Sequence, residues 1–275
     1  MEILRYRSFT TTADETESGN PAGVVLDAEE LDDVAMLGIA ADLGYSETAF
    51  LTAVTADSAR VRYFTPRAEI AFCGHATIAS GVALARRGSA PVVTLTTNAG
   101  EVPVEVTPEA ATLVAVDTAV QPLRAELLAE LLAALRLDAN GLDPQLPAAF
   151  LRGGNPHPIV FVGEGVLDRL DHDAVALLAL QDREGWDGTV PVVHRTGPLS
   201  FVSRNPFPRG GIREDPATGS AAASLGEYLR TGGHVPVPST VVVDQGRETG
   251  HPSRLVIDVP AEGRIRVSGT AEPIL

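Results

Sequence analysis

Short segments in which hydrophobic and polar residues alternate are spread along the whole chain, and longer segments with helical periodicity separate them. Alternation with period two predicts half-buried strands, whereas apolar residues at helical spacing predict amphipathic helices. The predicted strands are residues 60–64, 92–96, 102–106 and 112–116 in the first half, and 199–203, 240–243, 255–259 and 264–268 in the second. The predicted amphipathic helices are residues 28–43, 125–137 and 166–180.

Two further predicted helices have an unusual composition. Residues 75–86 read HATIASGVALAR, and residues 220–230 read SAAASLGEYLR. The first is small or apolar at almost every position, and a helix without a polar face is normally buried. Gly88 and Gly232 follow the helices as C-terminal stop residues. Strands around a buried helix of small residues predict an α+β fold in which a curled sheet or barrel encloses a central helix, formed twice.

Matched segments in the two halves support this duplication. Residues 19–25, GNPAGVV, recur 135 residues later as GNPHPIV. FTPR at 64–67 recurs loosely as PFPR at 206–209, and two Gly-rich helix starts follow, CGHATIAS from Cys73 and PATGSAAA from Pro216. The same order in both halves indicates two pseudo-symmetric half-domains. We expect them to comprise residues 1–118 and 119–275, with the last strand able to return to the first half.

The composition excludes several kinds of catalytic and binding chemistry. The chain of 275 residues is 44% hydrophobic and contains 21 arginines, no lysine, one cysteine and a formal net charge of −15. Without lysine no Schiff base forms, and a single thiol excludes an internal disulfide or a paired-thiol mechanism. The negative charge argues against nucleic acid as a partner, and no segment has the length of a signal peptide core or a membrane span. We therefore expect a cytoplasmic protein with a small-molecule partner and no membrane association.

The two Gly-rich helix starts are candidate anion sites. The first N–H groups of a helix lack partners within the helix, and the positive end of the helix dipole favours a negative ligand. If a pseudo-twofold axis relates the halves, the two helix starts would face each other across a cleft. Gly74, Gly219 and the Ser220 hydroxyl are then the candidate donors to a substrate carboxylate.

Titratable residues accompany these helix starts. His75 and Asp215 lie beside them, Cys73 is adjacent, and Glu47 interrupts a strand-like run, GYSETAFL. Taken singly, each could be an ordinary cap, turn or surface residue. Together in a dry cleft, however, a carboxylate of raised pKa could take and return a proton near neutral pH.

Metal and cofactor sites are not expected. Cys73-x-His75 is too short for the usual structural zinc spacing, and the other histidines show no zinc-finger or helical pairing. No G-x-G-x-x-G segment follows a predicted strand, which argues against a dinucleotide cofactor.

The motifs GNPAGVVL, YSETAFL, RYFTPRAEIAFCGHATIAS and EDPATGSAAASLGEYL together resemble the PhzF-like isomerases of phenazine biosynthesis, within the diaminopimelate epimerase-like superfamily. The resemblance extends from about Phe9 to the C-terminal strands. It implies two barrel-like domains around central helices, an active site between them and a homodimer. It also implies that Glu47, which matches the glutamate of SETAF, is the acid/base.

By the same resemblance, His75 matches the histidine of CGHA, while Asp215 and Ser220 match the aspartate and serine of DPATGS. These residues would assist proton transfer or bind the substrate. Epimerase relatives use two facing cysteines instead. Here Cys73 occupies the first position and the second falls near Pro216, so a two-thiol mechanism is not expected.

The leading hypothesis is a cofactor-independent isomerase that shifts a proton on a small carboxylic acid. Glu47, His75 and Asp215 would be catalytic, and Gly74, Gly219 and Ser220 would bind the carboxylate. One alternative is an amino-acid racemase or epimerase that uses Cys73 with a non-thiol partner. A second is a non-catalytic small-molecule-binding protein. The resemblance leaves the substrate and pathway open, because members of the family are not confined to phenazine synthesis.

Overall fold

Two units form from different stretches of the chain. Unit 1 consists of Met1–Ala115 together with Arg266–Leu275, and unit 2 consists of Val116–Ile265. The computed structural model describes residues 1–11 and 17–274. None of the helices in these residues is long and apolar enough to cross a membrane.

Unit 1 is a barrel. Its strands are β1 (Glu2–Ser8), β2 (Asn20–Leu26), β3 (Glu47–Thr52), β4 (Ser58–Phe64), β5 (Glu69–Ile70), β6 (Val92–Thr97), β7 (Gly100–Val106), β8 (Ala110–Val114) and, from the end of the chain, β16 (Arg266–Pro273). Among the described residues, eight strands close in the order β1, β2, β3, β4, β6, β7, β8, β16 and back to β1, and β5 pairs with β4. The helices are α1 (Asp33–Leu43) and α2 (Gly74–Arg86).

Helix α2 is the central helix of this barrel, which confirms the predicted architecture. Every residue from His75 to Leu84 is buried, and the helix contacts β1, β2, β3, β7, β8 and β16. Small side chains allow strands to approach the helix from several sides at once. At Gly81 the fit is tight, because an added Cβ would lie 2.9 Å from Val106 Cγ1 and 3.1 Å from the Cβ of Ala111.

Unit 2, all of whose residues the structure describes, contains a seven-stranded sheet. Its strands are β9 (Ala119–Pro122), β10 (Ala149–Gly153), β11 (Asn155–Val162), β12 (Val192–Gly197), β13 (Ser200–Arg204), β14 (Ser239–Gln245) and β15 (Ser253–Val259), and they pair in this order. Its helices are α3 (Ala125–Leu135), α4 (Ala174–Glu184) and α5 (Gly219–Thr231). Four short 3-10 helices are Ala139–Gly141, Leu167–Arg169, Pro208–Gly210 and Arg247–Thr249.

The two units repeat one topology. In unit 1, β2 is antiparallel to β1 and parallel to β3, with α1 between β2 and β3 in sequence. In unit 2, β11 is antiparallel to β10 and parallel to β12, with α4 between them. The central helices α2 and α5 each have 13 residues. Helix α2 follows the antiparallel pair β3 and β4, and α5 follows the antiparallel pair β12 and β13. This repeated order agrees with the duplicated motifs in the sequence.

Two predicted helices begin later than their hydrophobic pattern suggested. Helix α1 starts at Asp33 because the Asp32 carboxylate caps it, accepting a hydrogen bond from Ala35 N–H at 2.8 Å. Helix α4 starts at Ala174 because Asp173 caps it in the same way. The segment before it forms the 3-10 helix Leu167–Arg169. A capping carboxylate decides where a helix begins even where apolar periodicity extends further back.

The tight packing of α2 predicts opposite effects of one substitution at two glycines. Gly81→Ala overpacks the barrel, and the cost of about 1–3 kcal/mol exceeds the helix-propensity gain of up to about 1 kcal/mol. Gly38→Ala in α1 gains the propensity without the cost, because nothing lies within 4 Å of its added Cβ. Urea unfolding should show a lower free energy of unfolding for the first variant and a higher one for the second. Equal effects would contradict the tight packing.

Candidate active site

In unit 1, the starts of three elements meet. Glu47 is the first residue of β3 and lies opposite Ala22 of the parallel strand β2. Strand β2 itself starts at Asn20, and α2 starts directly after Cys73. Because parallel strands start at the same edge of a sheet, the side chains of Asn20 and Glu47 are available at the edge where α2 begins.

His75 is at the centre of this group. Its Nε2 lies 3.3 Å from Glu47 Oε2 and 3.4 Å from Ser46 Oγ. Its Nδ1 lies 3.3 Å from Asn20 Nδ2 and 3.3 Å from Cys73 Sγ. The Ser8 hydroxyl donates to the backbone carbonyl of His75 at 2.7 Å. The imidazole is therefore held on two sides and can exchange a proton with the carboxylate.

Glu47 has the perturbed acidity expected of an acid/base. Burial disfavours its ionised form and raises its pKa, and this effect exceeds the opposing hydrogen bonds from Ser46 and Cys73. A raised pKa brings a carboxyl group closer to neutrality, where it can both accept and donate a proton.

The starts of α2 and α5 differ from those of α1 and α4 in their capping. Asp32 and Asp173 cap α1 and α4, whereas Cys73 and Thr218, the residues before α2 and α5, make no side-chain capping hydrogen bond. The first N–H groups of a helix point along its axis and are a common place for an anion to bind. Gly74 and Gly219 are the first residues of these two helices.

In unit 2, a histidine reaches the second residue of the central helix. His157 is on β11 and its Nε2 lies 3.0 Å from Ser220 Oγ. Its Nδ1 lies 3.0 Å from the backbone carbonyl oxygen of Thr189. Asn20 and His75 make the corresponding contact in unit 1, so in each unit the Gly-Asn-Pro strand contacts the start of the central helix.

These contacts determine the direction of the hydrogen bonds. The carbonyl oxygen of Thr189 can only accept, so His157 Nδ1 carries the proton. Burial lowers the pKa of His157 to about 4, so the ring is neutral near pH 7 and Nε2 is an acceptor. The Ser220 hydroxyl therefore donates its proton to His157. Its remaining lone pairs are available to accept a hydrogen bond from a ligand.

Asp215 is fixed by the segment before α5. The Thr218 hydroxyl donates to Asp215 Oδ2 at 2.6 Å, and Asn205 Nδ2 donates to the Thr218 hydroxyl at 2.8 Å. Gln245 Nε2 donates to the Asp215 carbonyl at 2.7 Å. Glu214, the residue before it, forms a buried ion pair with Arg204. The carboxylate is thus held near the start of α5, beside Gly219 and Ser220.

The structure brings Glu47, Gly74 and His75 together in unit 1. It brings Asp215, Gly219 and Ser220 together in unit 2. Sequence reasoning assigned no role to Asn20 or His157, although both lie in the repeated GNP segments. The repeat was the signal that could have found them, since a segment kept in both halves beside the central helix has a shared structural task.

Three donors in unit 1 could also hold a metal ion. The ligand atoms of Glu47, Cys73 and His75 all lie within 4.8 Å of one another, the one such group among the described residues. The spacing of Cys73 and His75 along the chain gave no metal motif, because the third donor comes from a different element.

Comparison with known proteins agrees with the fold and with isomerase chemistry. Trans-2,3-dihydro-3-hydroxyanthranilate isomerase of Pseudomonas aeruginosa is 32% identical over 277 residues, which cover 96% of this chain and 95% of that protein. YddE, an uncharacterized isomerase of Escherichia coli, is 31% identical over 268 residues, covering 92% and 90%.

Solved structures extend the comparison. A PhzF-family phenazine biosynthesis protein from Bacillus anthracis has a TM-score of 0.85 at 26% identity, covering 100% of this chain and 98% of that one. A probable proline racemase from Agrobacterium radiobacter has a TM-score of 0.64 at 16% identity, covering 99% and 90%, and shows the fold alone.

The barrel around a central helix and these structural matches define the diaminopimelate epimerase-like fold class. Over residues 7–274 the sequence matches the family described as Phenazine biosynthesis-like protein. The chain belongs to this family, and it is an isomerase. The expected family and enzyme class are therefore confirmed.

The raised pKa of Glu47 predicts how its removal changes stability with pH. A carboxyl group whose pKa is higher in the folded state destabilises the fold as pH rises above its unfolded pKa of about 4.5. Glu47→Gln should therefore increase the free energy of unfolding more at pH 8 than at pH 4, as measured by urea unfolding at both values.

Glu69 is the matched control with the opposite sign. Its pKa is lowered, first by the paired hydrogen bonds from Arg62, each 2.7 Å long. Its contribution is present above the unfolded pKa and is lost as pH falls. Glu69→Gln should thus destabilise the protein more at pH 8 than at pH 4. The same sign for both variants would contradict this account of Glu47.

The lowered pKa of His157 predicts that the free energy of unfolding decreases in acid. The folded-state pKa of about 4 is below the ordinary value of 6.5, so the unfolded chain binds the additional proton between these values. Stability should fall as pH falls through this window, by roughly 3 kcal/mol at the lower end. His157→Gln should show a smaller loss between pH 6.5 and pH 4 in chemical unfolding. An equal loss in both proteins would place the His157 pKa near its ordinary value.

Proposed function

We propose that the protein is a cofactor-independent isomerase in which Glu47 moves a proton between two positions of a small carboxylic acid. One observation carries the proposal, the position of a buried carboxyl group of raised pKa at hydrogen-bond distance from His75. A carboxyl group so placed can remove a proton from one carbon and return it to another. Such general acid/base catalysis contributes about 10²–10⁴-fold to a rate.

His75 supports this role in the proposal. Its Nε2 faces Glu47 while Asn20 and Cys73 contact Nδ1, so the ring is oriented before the substrate arrives. Pre-oriented groups do not spend binding energy on ordering during the reaction. We propose that His75 relays or stabilises the proton that Glu47 carries.

The substrate carboxylate is proposed to bind at helix N-termini. Gly74 begins α2, Gly219 and Ser220 begin α5, and the preceding residues Cys73 and Thr218 make no side-chain capping hydrogen bond. The protein carries a formal net charge of −15, so its overall field does not attract an anion. Local N–H groups must supply the attraction, with a favourable term of about 0.3–1 kcal/mol from each helix end.

Ser220 and Asp215 indicate a second group that the proposed substrate should carry, besides its carboxylate. The Ser220 hydroxyl donates to His157, so toward a ligand its oxygen accepts. The Asp215 carboxylate is likewise an acceptor when ionised. We propose that these two residues bind a hydrogen-bond donor on the substrate, an amino or hydroxyl group, while the backbone N–H groups of Gly219 and Ser220 contribute to carboxylate binding.

A second candidate function is an amino-acid racemase that uses the Cys73 thiol. The observation in its favour is the distance of 3.3 Å between Cys73 Sγ and His75 Nδ1, which would let the imidazole take the thiol proton. The sequence contains no other cysteine to supply the opposite face. The partner would have to be a different group, and Glu47 is the other acid in this cluster.

The test is incorporation of solvent deuterium into a panel of acids, measured by mass spectrometry and NMR. The panel should begin with trans-2,3-dihydro-3-hydroxyanthranilate, the compound named for the Pseudomonas aeruginosa relative, and continue with cyclic amino acids. Glu47→Gln should lower the exchange rate by about 10²–10⁴-fold, because the amide cannot accept the proton.

Cys73→Ala separates the two candidates. The isomerase proposal predicts that this variant retains exchange within about tenfold of the unsubstituted protein, whereas the racemase alternative predicts a loss as large as that of Glu47→Gln. Exchange that continues undiminished in Glu47→Gln would contradict the role of Glu47. Far-ultraviolet circular dichroism of each variant provides the folding control.

A further inference from the structure

The group formed by Glu47, Cys73 and His75 has the donor chemistry of a zinc site. It supplies a carboxylate oxygen, a thiol sulfur and an imidazole nitrogen, the three ligand types that Zn²⁺ accepts in proteins. Sulfur and nitrogen together favour Zn²⁺ or Cd²⁺ over Mg²⁺ and Ca²⁺, which prefer oxygen ligands.

The distances suit a tetrahedral ion. Zn²⁺ bonds of about 2.0–2.3 Å at tetrahedral angles separate the ligand atoms by roughly 3.3–3.6 Å. Here Glu47 Oε2 lies 3.3 Å from His75 Nε2, and Cys73 Sγ lies 3.9 Å from the same nitrogen. All three donors lie within 4.8 Å of one another. Cys73 Sγ is nearer to the other ring nitrogen, at 3.3 Å from His75 Nδ1, so the Cys73 side chain would have to turn toward Nε2 to complete the geometry.

The charge balance also suits burial. Cys73 and His75 are 7% and 4% exposed, and the Glu47 side chain is 12% exposed. A thiolate and a carboxylate together carry two negative charges, which offset the two positive charges of Zn²⁺ and leave the buried group neutral. Buried charges are tolerated when they are paired in this way. Binding would release the thiol proton, together with the carboxyl proton where Glu47 carries one.

Asn20 completes the arrangement around the metal. Its side-chain amide lies 3.3 Å from His75 Nδ1, the nitrogen opposite the one that faces Glu47. A metal-bound histidine typically donates its second N–H to an oxygen. The Asn20 atom that faces Nδ1 is the amide nitrogen, so the amide would rotate by half a turn on metal binding to present its carbonyl oxygen to Nδ1–H. Asn20 would thus orient the ring for metal binding as it does for proton transfer.

We propose that Glu47, Cys73 and His75 form a binding site for a single Zn²⁺ ion, and that the bound ion inhibits the isomerase. Three protein ligands leave the fourth position to water. The metal uses the Glu47 oxygen and the His75 nitrogen that face each other, so proton transfer between these groups stops while it is bound. The binding site stands on its own geometry, whereas the inhibition rests on the proposed function.

Metal binding is tested directly, without activity. Isothermal titration of the purified, chelator-treated protein with Zn²⁺ should show one saturable site, and titration with Cd²⁺ should produce the ultraviolet charge-transfer band of a thiolate–metal bond. Mg²⁺ should show neither. Cys73→Ser, His75→Asn and Glu47→Gln should each weaken Zn²⁺ binding by at least about tenfold, and Cys73→Ser should abolish the Cd²⁺ band.

His251→Asn is the control for metal held by a histidine elsewhere, since His251 lies outside the group, and it should bind Zn²⁺ as the unsubstituted protein does. Absence of saturable binding, or binding that survives both Cys73→Ser and Glu47→Gln, would overturn the proposed site.

Inhibition is tested in the deuterium-exchange assay, where Zn²⁺ should abolish exchange and a chelator should restore it. Binding with undiminished exchange would overturn the inhibition. Binding in a protein whose exchange does not need Glu47 would leave the metal site standing and remove the proposed function.

Discussion

The central helix of unit 1 is buried on all sides, and this constraint determines much of the molecule. A helix enclosed by strands cannot carry large or charged side chains along its length, so α2 consists mainly of Ala, Gly, Ser, Thr and short aliphatic residues. Each interior side chain fits a close-packed environment. Only the end of such a helix can carry polar chemistry, and the start of α2 is where Cys73 and His75 lie. The steric requirement of the barrel thus concentrates the reactive groups at one place.

The two units share one frame, the arrangement of strands around the start of the central helix, and differ in the side chains placed there. In each unit the strand of the Gly-Asn-Pro segment lies beside the start of the central helix. One side chain of that strand contacts the second residue of the helix. Unit 1 has Asn20 against His75, a titratable residue supported by an amide. Unit 2 has His157 against Ser220, a hydroxyl whose direction a neutral imidazole decides. The frame is common because it satisfies backbone and packing requirements, while the side chains at the helix start are free to differ.

Desolvation and hydrogen bonding compete at the carboxyl groups of unit 1, and the outcome depends on the partner. Glu69 meets the fixed positive charge of Arg62 in a bidentate pair, so its pKa is lowered. Glu47 meets only neutral hydroxyl and thiol donors besides His75, so burial prevails and its pKa is raised. Glu47 on β3 and Glu69 on β5, two strands that both pair with β4, therefore have pKa values shifted in opposite directions. The carboxyl group at the helix start is the one suited to carry a proton.

The sequence by itself determined the helices, part of the strands, the duplication and the candidate residues at the helix starts. Period-two alternation located β4, β6, β7, β8 and β13–β16, while β1, β2, β5 and β9–β12 were not predicted. Small residues identified the enclosed helix α2, and repeated motifs indicated two units of one topology. These features are local, because they depend on which residues neighbour one another along the chain. The starts of α1 and α4 were less accurately predicted, since apolar periodicity extended past the capping residues Asp32 and Asp173.

Only the tertiary structure decided which of the reactive groups touch. Asn20 and His75 are 55 residues apart in sequence, and His157 and Ser220 are 63 apart. Their contacts follow from the register of β2 and β11 against the central helices, which no periodicity of single residues encodes. The same register brings Glu47 to Cys73 and His75, and burial at that point raises the Glu47 pKa. The residue types capable of proton chemistry are therefore readable in the sequence, but their distances and acidity arise from packing.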